Sequence, residues 1–241
     1  MKRLLLLFVT TCCLLGAAAA SAASPVTVFA AASLTDVFPR IAPAARYSFG
    51  GSNTLAAQVR QGAPADVFAS ANTALPWQLY RDGLVARPVV FTRNALVLIV
   101  PRSNPARIHS VFDLRADGTR LVVAAAAVPV GGYTRQALQK LGLSSVLQNV
   151  VSEETDVREV LAKVALGEAD AGFVYATDAK TVPGKVRVFA LPAGAQPVVA
   201  YAMAVVSSSP QRAAAQAFVQ QVLSKAGQAK LRAAGFLARR R

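Results

Sequence analysis

The sequence predicts an α/β protein of two lobes, each a mostly parallel sheet flanked by helices, with a ligand cleft between them. Three observations predict it. Short Val-rich apolar runs alternate with segments of helical apolar spacing. Two Pro-bearing turns, at 101–105 and 191–197, bracket the middle third of the chain. Several strand-to-helix junctions are built from small residues that can donate hydrogen bonds and carry no charge.

The strands are expected at 26–30, 46–49, 66–69, 95–100, 121–126, 171–175, 186–190 and 199–206, most of them short and Val-rich as buried strands should be. Helices follow from spacing: Val157, Val160, Leu161 and Val164 recur at i, i+3, i+4, i+7, and Ala215, Phe218, Val219 and Val222 repeat the pattern. Gly62, Gly142 and Gly167 read as residues that end helices. The bracketing turns suggest a middle lobe inserted between an N-terminal segment and a returning C-terminal one. The expected division is lobe 1 from 23–101 and 199–241 and lobe 2 from 102–198, with hinges near 101–103 and 197–200.

The first 22 residues are expected to leave the mature protein. Lys2 and Arg3 precede an apolar run over 4–15, and small residues follow, ending in Ala20-Ser21-Ala22, the form of a signal-peptidase site. The mature chain is therefore expected to be periplasmic. Cys12 and Cys13 are the only cysteines and both fall in that leader, which leaves no disulfide and no thiol chemistry.

Composition narrows the function. The chain has 241 residues and 54% hydrophobic content, enough for a sizeable core. Lys and Arg number 26 against 12 Asp and Glu, a formal charge of +14 that favours anions at low salt. Nucleic acid is not the expected partner. The basic residues are scattered singly apart from the Arg run at 239–241, and no aromatic-interleaved basic stripe appears.

The strand-to-helix junctions carry the functional signal. The run 26–34 (VTVFAAASL) leads a β-branched strand into Ala and Ser, and a helix starting at Ser33 would point unpaired backbone N–H groups and a hydroxyl past the strand end. At 49–55 (FGGSNTL) two glycines allow a tight turn before Ser52 and Asn53. At 128–132 (VPVGG) glycines expose N–H groups before a helix expected from about Tyr133, and Asp156-Val157 opens another helix. The strand at 171–175 ends in Tyr175, placing a phenol at its carboxyl end, the edge where open α/β sheets bind ligands. Taken singly, Ser33, Ser52 and Asp156 read equally as helix N-caps, Tyr175 as a strand tyrosine, and Asp66 as a loop anchor. His109, the only histidine, lies among Ile108, Val111 and Phe112, which favours a packing role.

The segments FAAASL at 29–34, FGGSNTL at 49–55, GAPADVFASA at 62–71 and GFVYATDA at 172–179 resemble, in this order, the periplasmic molybdate-binding proteins of ABC importers. The resemblance implies a type II periplasmic-binding-protein fold that closes on a tetrahedral oxyanion, molybdate or tungstate, with no cofactor. It implies that Ser33 and Ser52 each give a hydroxyl and a backbone N–H, that Val130 and Val157 each give a backbone N–H, and that Tyr175 gives its phenol. Ser33 and Ser52 would belong to the outer lobe and the other three to the middle lobe. The implied partner is the membrane permease of an ABC importer, and the protein is expected to act as a monomer. The chemistry is sensible by itself, because a deprotonated oxyanion has only acceptors and a matching pocket presents only donors. A sulfate or phosphate receptor on the same fold is the nearest alternative. An enzyme is not expected: there is no Cys/His cluster, and a secreted serine hydrolase would have to recruit His109 from far along the chain.

Overall fold

The computed structural model describes residues 24–239; the expected leader at 1–22 lies outside them. The strands, in chain order, are β1 (Thr27–Ala31), β2 (Arg46–Gly50), β3 (Val67–Ser70), β4 (Val89–Asn94), β5 (Leu96–Pro101), β6 (Leu121–Ala124), β7 (Val150–Glu154), β8 (Ala171–Tyr175), β9 (Val186–Ala190) and β10 (Val199–Val205). The α-helices are α1 (Phe38–Ile41), α2 (Ser52–Arg60), α3 (Ala74–Arg81), α4 (Pro129–Lys140), α5 (Val157–Ala165), α6 (Ala176–Ala179), α7 (Arg212–Leu223) and α8 (Lys225–Ala233).

Two five-stranded sheets form, in the orders β2-β1-β3-β10-β4 and β7-β6-β8-β5-β9. The two sheets follow one plan. Three neighbouring strands run parallel, a fourth runs against them, and the fifth pairs antiparallel with the fourth. The reversed strand in each sheet, β10 or β5, is the first one laid down after the chain crosses from the other lobe. The mostly parallel two-lobed architecture expected from the sequence is therefore present.

The first crossing point differs from the one expected. Because β5 pairs with β8 and β9, it belongs to the second sheet, so the chain leaves lobe 1 at Ala95 and not at 101. It returns through 191–198, between β9 and β10. The Pro turn at 101–105 lies at the far end of β5, inside lobe 2, and is not a hinge. Proline there only ends the strand.

All eight expected strands form, with two more. β4 (VVFTRN) and β7 (VVSEE) carry too many polar residues to stand out as buried runs, and β7 is an edge strand whose side chains are mostly exposed or half-buried. The junction helices also shift. Ser33 does not open an α-helix; Ala32–Leu34 is a single 3-10 turn, and α1 begins only at Phe38. Helix α4 starts at Pro129, ahead of the expected Tyr133, because proline's fixed φ suits the first helical position.

The amphipathic helices bury the faces that their spacing defines. Val157, Val160, Leu161 and Val164 of α5 are all buried, at about 1.5–3 kcal/mol each. A Cβ on Gly172 of β8 would sit 2.9–3.1 Å from the Val164, Val160 and Val122 side chains, so glycine lets α5 lie close on the second sheet. In α7, Ala215, Phe218, Val219 and Val222 are likewise buried. Gly62, Gly142 and Gly167 follow the ends of α2, α4 and α5 with positive φ. Asp66 is the loop anchor expected, accepting from the Thr27 N–H (2.8 Å) and the Ser209 hydroxyl (2.6 Å). The expected packing role of His109 is not realised: it is exposed, and its backbone N–H donates to Asp113.

Candidate functional site

Six parallel strands, three from each sheet, end at one cavity. Lobe 1 contributes Ala31 at the end of β1 with Ala32 and Ser33 after it, Gly51 and Ser52 after β2, and Ala71 after β3. Lobe 2 contributes Val128 and Val130 after β6, Asp156 and Val157 after β7, and Tyr175 at the end of β8. All five residues singled out from the sequence, Ser33, Ser52, Val130, Val157 and Tyr175, line it together. The cavity is small, with about 10 Å³ of room for the centre of a water-sized sphere, far too little for a drug-sized ligand. A small ion fits that scale.

The lobes are closed over it. A Cβ on Gly51 of lobe 1 would stand 2.3 Å from the Thr155 carbonyl oxygen of lobe 2, an approach that only glycine permits. The Arg158 guanidinium of lobe 2 reaches Asp36 of lobe 1 at 2.5 Å.

The hydrogen-bond pattern leaves donors facing the cavity. The Ser52 hydroxyl accepts from the Ala71 N–H at 3.1 Å, which leaves its own proton free. Gly51, not Ser52, occupies the N-cap of α2, and no side-chain cap bond forms there. The Ser33 hydroxyl lies 2.8 Å from the Tyr201 hydroxyl, which in turn accepts from the Asn94 side-chain amide at 3.4 Å. The Asn94 carbonyl oxygen accepts from the Ala95 N–H at 2.9 Å, so the amide orientation is set. A phenol that accepts from Asn94 keeps its own proton to give to Ser33, an arrangement in which the Ser33 proton is left for the cavity.

Backbone donors complete the set. Ser52 and Val157 are the first residues of α2 and α5, and Val130 is the second of α4; N–H groups in a first turn have no intrahelical acceptor. Proximity to three helix N-termini adds a favourable field for an anion. The Tyr175 phenol is 1% exposed and its oxygen has no hydrogen-bond partner among the described residues. Burial pushes the hydroxyls of Tyr175 and Tyr201 well above the ordinary tyrosine range, so both stay protonated and can donate.

Asp156 is the charged residue among those lining the cavity. It is the N-cap of α5: one carboxylate oxygen accepts from the Arg158 N–H at 2.6 Å and from the Glu159 N–H at 3.2 Å. Burial pushes its carboxyl upward, opposed by those two backbone bonds. The sequence did not single out Tyr201, Asn94 or Ala71. Tyr201 lies mid-strand in an apolar run and Asn94 in an unrecognised strand, so only tertiary placement brings them to Ser33. His109 is not among the cavity residues, and no cluster of three metal-binding side chains occurs among the described residues.

Fold and site together define a two-lobed binding protein, and the chain belongs to the bacterial extracellular solute-binding protein family, whose model matches residues 26–237. It is 40% identical over 221 residues to the molybdate-binding protein ModA of Mycobacterium tuberculosis, covering 88% of this chain and 84% of that one. Among solved structures, the periplasmic molybdate-binding protein of Azotobacter vinelandii superposes with a TM-score of 0.79 at 24% identity, over 89% of this chain and all of that one. The sulfate-binding protein SubI of Mycobacterium tuberculosis superposes at 0.77 with 18% identity, over 88% and 86% of the two chains. Those two likenesses concern the fold. No helix among the described residues is long and apolar enough to cross a membrane.

Proposed function

We propose that this protein captures molybdate, and tungstate comparably, outside the cytoplasm and delivers it to the membrane permease of an ABC importer. The observation that carries this is the cavity itself: hydroxyl, phenol and backbone N–H donors converge from both lobes, and the one charged side chain lining it caps α5 through one of its two oxygens. A fully deprotonated dianion supplies only acceptors, so the match requires no counter-charge and no resident cofactor. The ModA relative at 40% identity supports molybdate over the other oxyanions.

In this role the protein works as a monomer, is exported by the leader at 1–22, and does no covalent chemistry. Ser33 and Ser52 each give a hydroxyl and a backbone N–H, Val130 and Val157 each a backbone N–H, and Tyr175 its phenol. Hydrogen bonds to a charged group contribute about 1.5–3 kcal/mol each. After closure and desolvation are subtracted, a net of roughly −8 to −12 kcal/mol corresponds to micromolar to nanomolar affinity.

Titration calorimetry tests this. The wild type should bind molybdate with a stoichiometry of one, and the double substitution Ser33→Ala with Ser52→Ala should weaken it by about a hundredfold or more. Affinity within a few-fold of wild type would remove both serines from the site.

A further inference from the structure

Beside the cavity, Arg158 joins two carboxylates, one on each side of the seam between the lobes. Its Nε donates to Asp178 at 2.8 Å and one terminal nitrogen donates to Asp36 at 2.5 Å. Asp178 is fully buried in lobe 2, whereas the Asp36 side chain is half exposed on lobe 1. Each of these three residues sits close along the chain to a cavity donor. Asp36 is three residues after Ser33, Arg158 directly follows Val157, and Asp178 is three residues after Tyr175. The triad therefore ties together the turn after β1, the start of α5 and the end of β8, three of the six strand ends that form the site.

The two halves of the triad behave differently when the lobes part. The Arg158–Asp178 pair lies within lobe 2 and survives opening, which keeps α5 seated against β8. The Arg158–Asp36 pair spans the lobes and exists only when they are closed. We infer that Arg158 and Asp36 form a closure latch that holds the shut state over a bound oxyanion, making both of them positioning residues for capture. This rests on the proposed reading of the cavity as an oxyanion site. A bond made only in the closed state slows release and leaves the encounter unaffected, so its signature is in the dissociation rate.

Charge supplies a discriminating sign. Asp36 is an acidic group near an anion site, so if it acted only through its field, neutralising it would favour the dianion and strengthen binding. A latch requires the opposite.

The test is the release of radiolabelled molybdate from the full mature chain after dilution into excess unlabelled molybdate. Asp36→Asn and Asp36→Ala should each release about two- to fivefold faster than wild type, the upper part of the range of a partly exposed ion pair, with an association rate unchanged or slightly raised. Asp36→Glu, which restores the carboxylate, should return release toward the wild-type rate. Ligand-free melting should not move, because the pair is absent when the lobes are open. Wild-type binding with unchanged or slower release from the Asn and Ala variants overturns the latch while leaving the site assignment intact. A wild type that retains no molybdate overturns the site assignment and the latch with it.

Discussion

The Tyr175 phenol separates binding from folding at a single atom. Its oxygen is buried with no protein partner among the described residues, so removing it deletes a cavity donor without breaking an internal hydrogen bond. Tyr175→Phe should lower molybdate affinity about tenfold to a hundredfold by calorimetry, while the ligand-free protein melts at the same temperature or higher, since an unsatisfied buried hydroxyl has been removed. A large loss of stability would show that the hydroxyl has a structural partner. The five residues that meet at the cavity were legible in the sequence through short motifs at strand ends, yet the reason the two serine hydroxyls can face it as donors was not. That reason lies in the Ala71 N–H and in the Asn94–Tyr201 pair, whose partners are distant along the chain: Tyr201 is 168 positions from Ser33.

Elements set how closely the donors approach. The β2–α2 turn passes so near Thr155 that Gly51→Ala would place its methyl group 2.3 Å from a carbonyl oxygen of the other lobe. Gly51 has φ −61°, which any residue adopts, so the variant should fold and melt normally when ligand-free yet lose at least about tenfold in affinity, because the lobes can no longer shut fully. Unchanged affinity would mean that the anion is held without this approach. Helix α6 carries a second measurable property. Burial pushes the Asp178 carboxyl up to about 6, against the opposing attraction of Arg158. A carboxyl raised in the folded state contributes stability below its unfolded pKa, and that contribution is lost as pH rises through the folded value. Between about pH 4 and pH 6 the wild type should therefore lose stability relative to Asp178→Asn, read as a widening gap in melting temperature; a constant gap would place the charge elsewhere. Such elements differed in how visible they were. The i, i+3, i+4, i+7 spacing exposed α5 and α7, whereas β7, with two glutamates and a serine in five residues, offered no apolar signal, and the Ser33 turn looked like a helix start because only tertiary packing limits it to one 3-10 turn.

The whole molecule is two copies of one sheet plan joined by two crossings, and the crossings decide what can move. Ala95 and the segment 191–198 connect the lobes, and Gln196 ties the second crossing to the first: its side-chain oxygen accepts from the Leu96 N–H at 2.9 Å and its nitrogen donates to the Leu96 carbonyl at 3.0 Å. Opening thus turns about one linked pair of strands. The sequence pointed to an inserted middle lobe but set its first edge at the Pro turn, six residues late, because β4 was not recognised as a strand of lobe 1 pairing with β10. Selectivity also belongs to this scale, since the donors meet only when both lobes do. Phosphate keeps a proton for much of its population near neutral pH and needs an acceptor in the cavity, while Asp156, the carboxylate there, has one oxygen engaged by two N–H groups of α5. Sulfate carries no proton but is smaller than molybdate, so some of its bonds would be stretched, at about 1 kcal/mol or more each. Competition calorimetry with molybdate, tungstate, sulfate and phosphate at one pH is the most direct measurement. Comparable tight binding of molybdate and tungstate, with sulfate and phosphate far weaker, is the expected result; phosphate or sulfate displacing molybdate at comparable concentration would contradict molybdate capture.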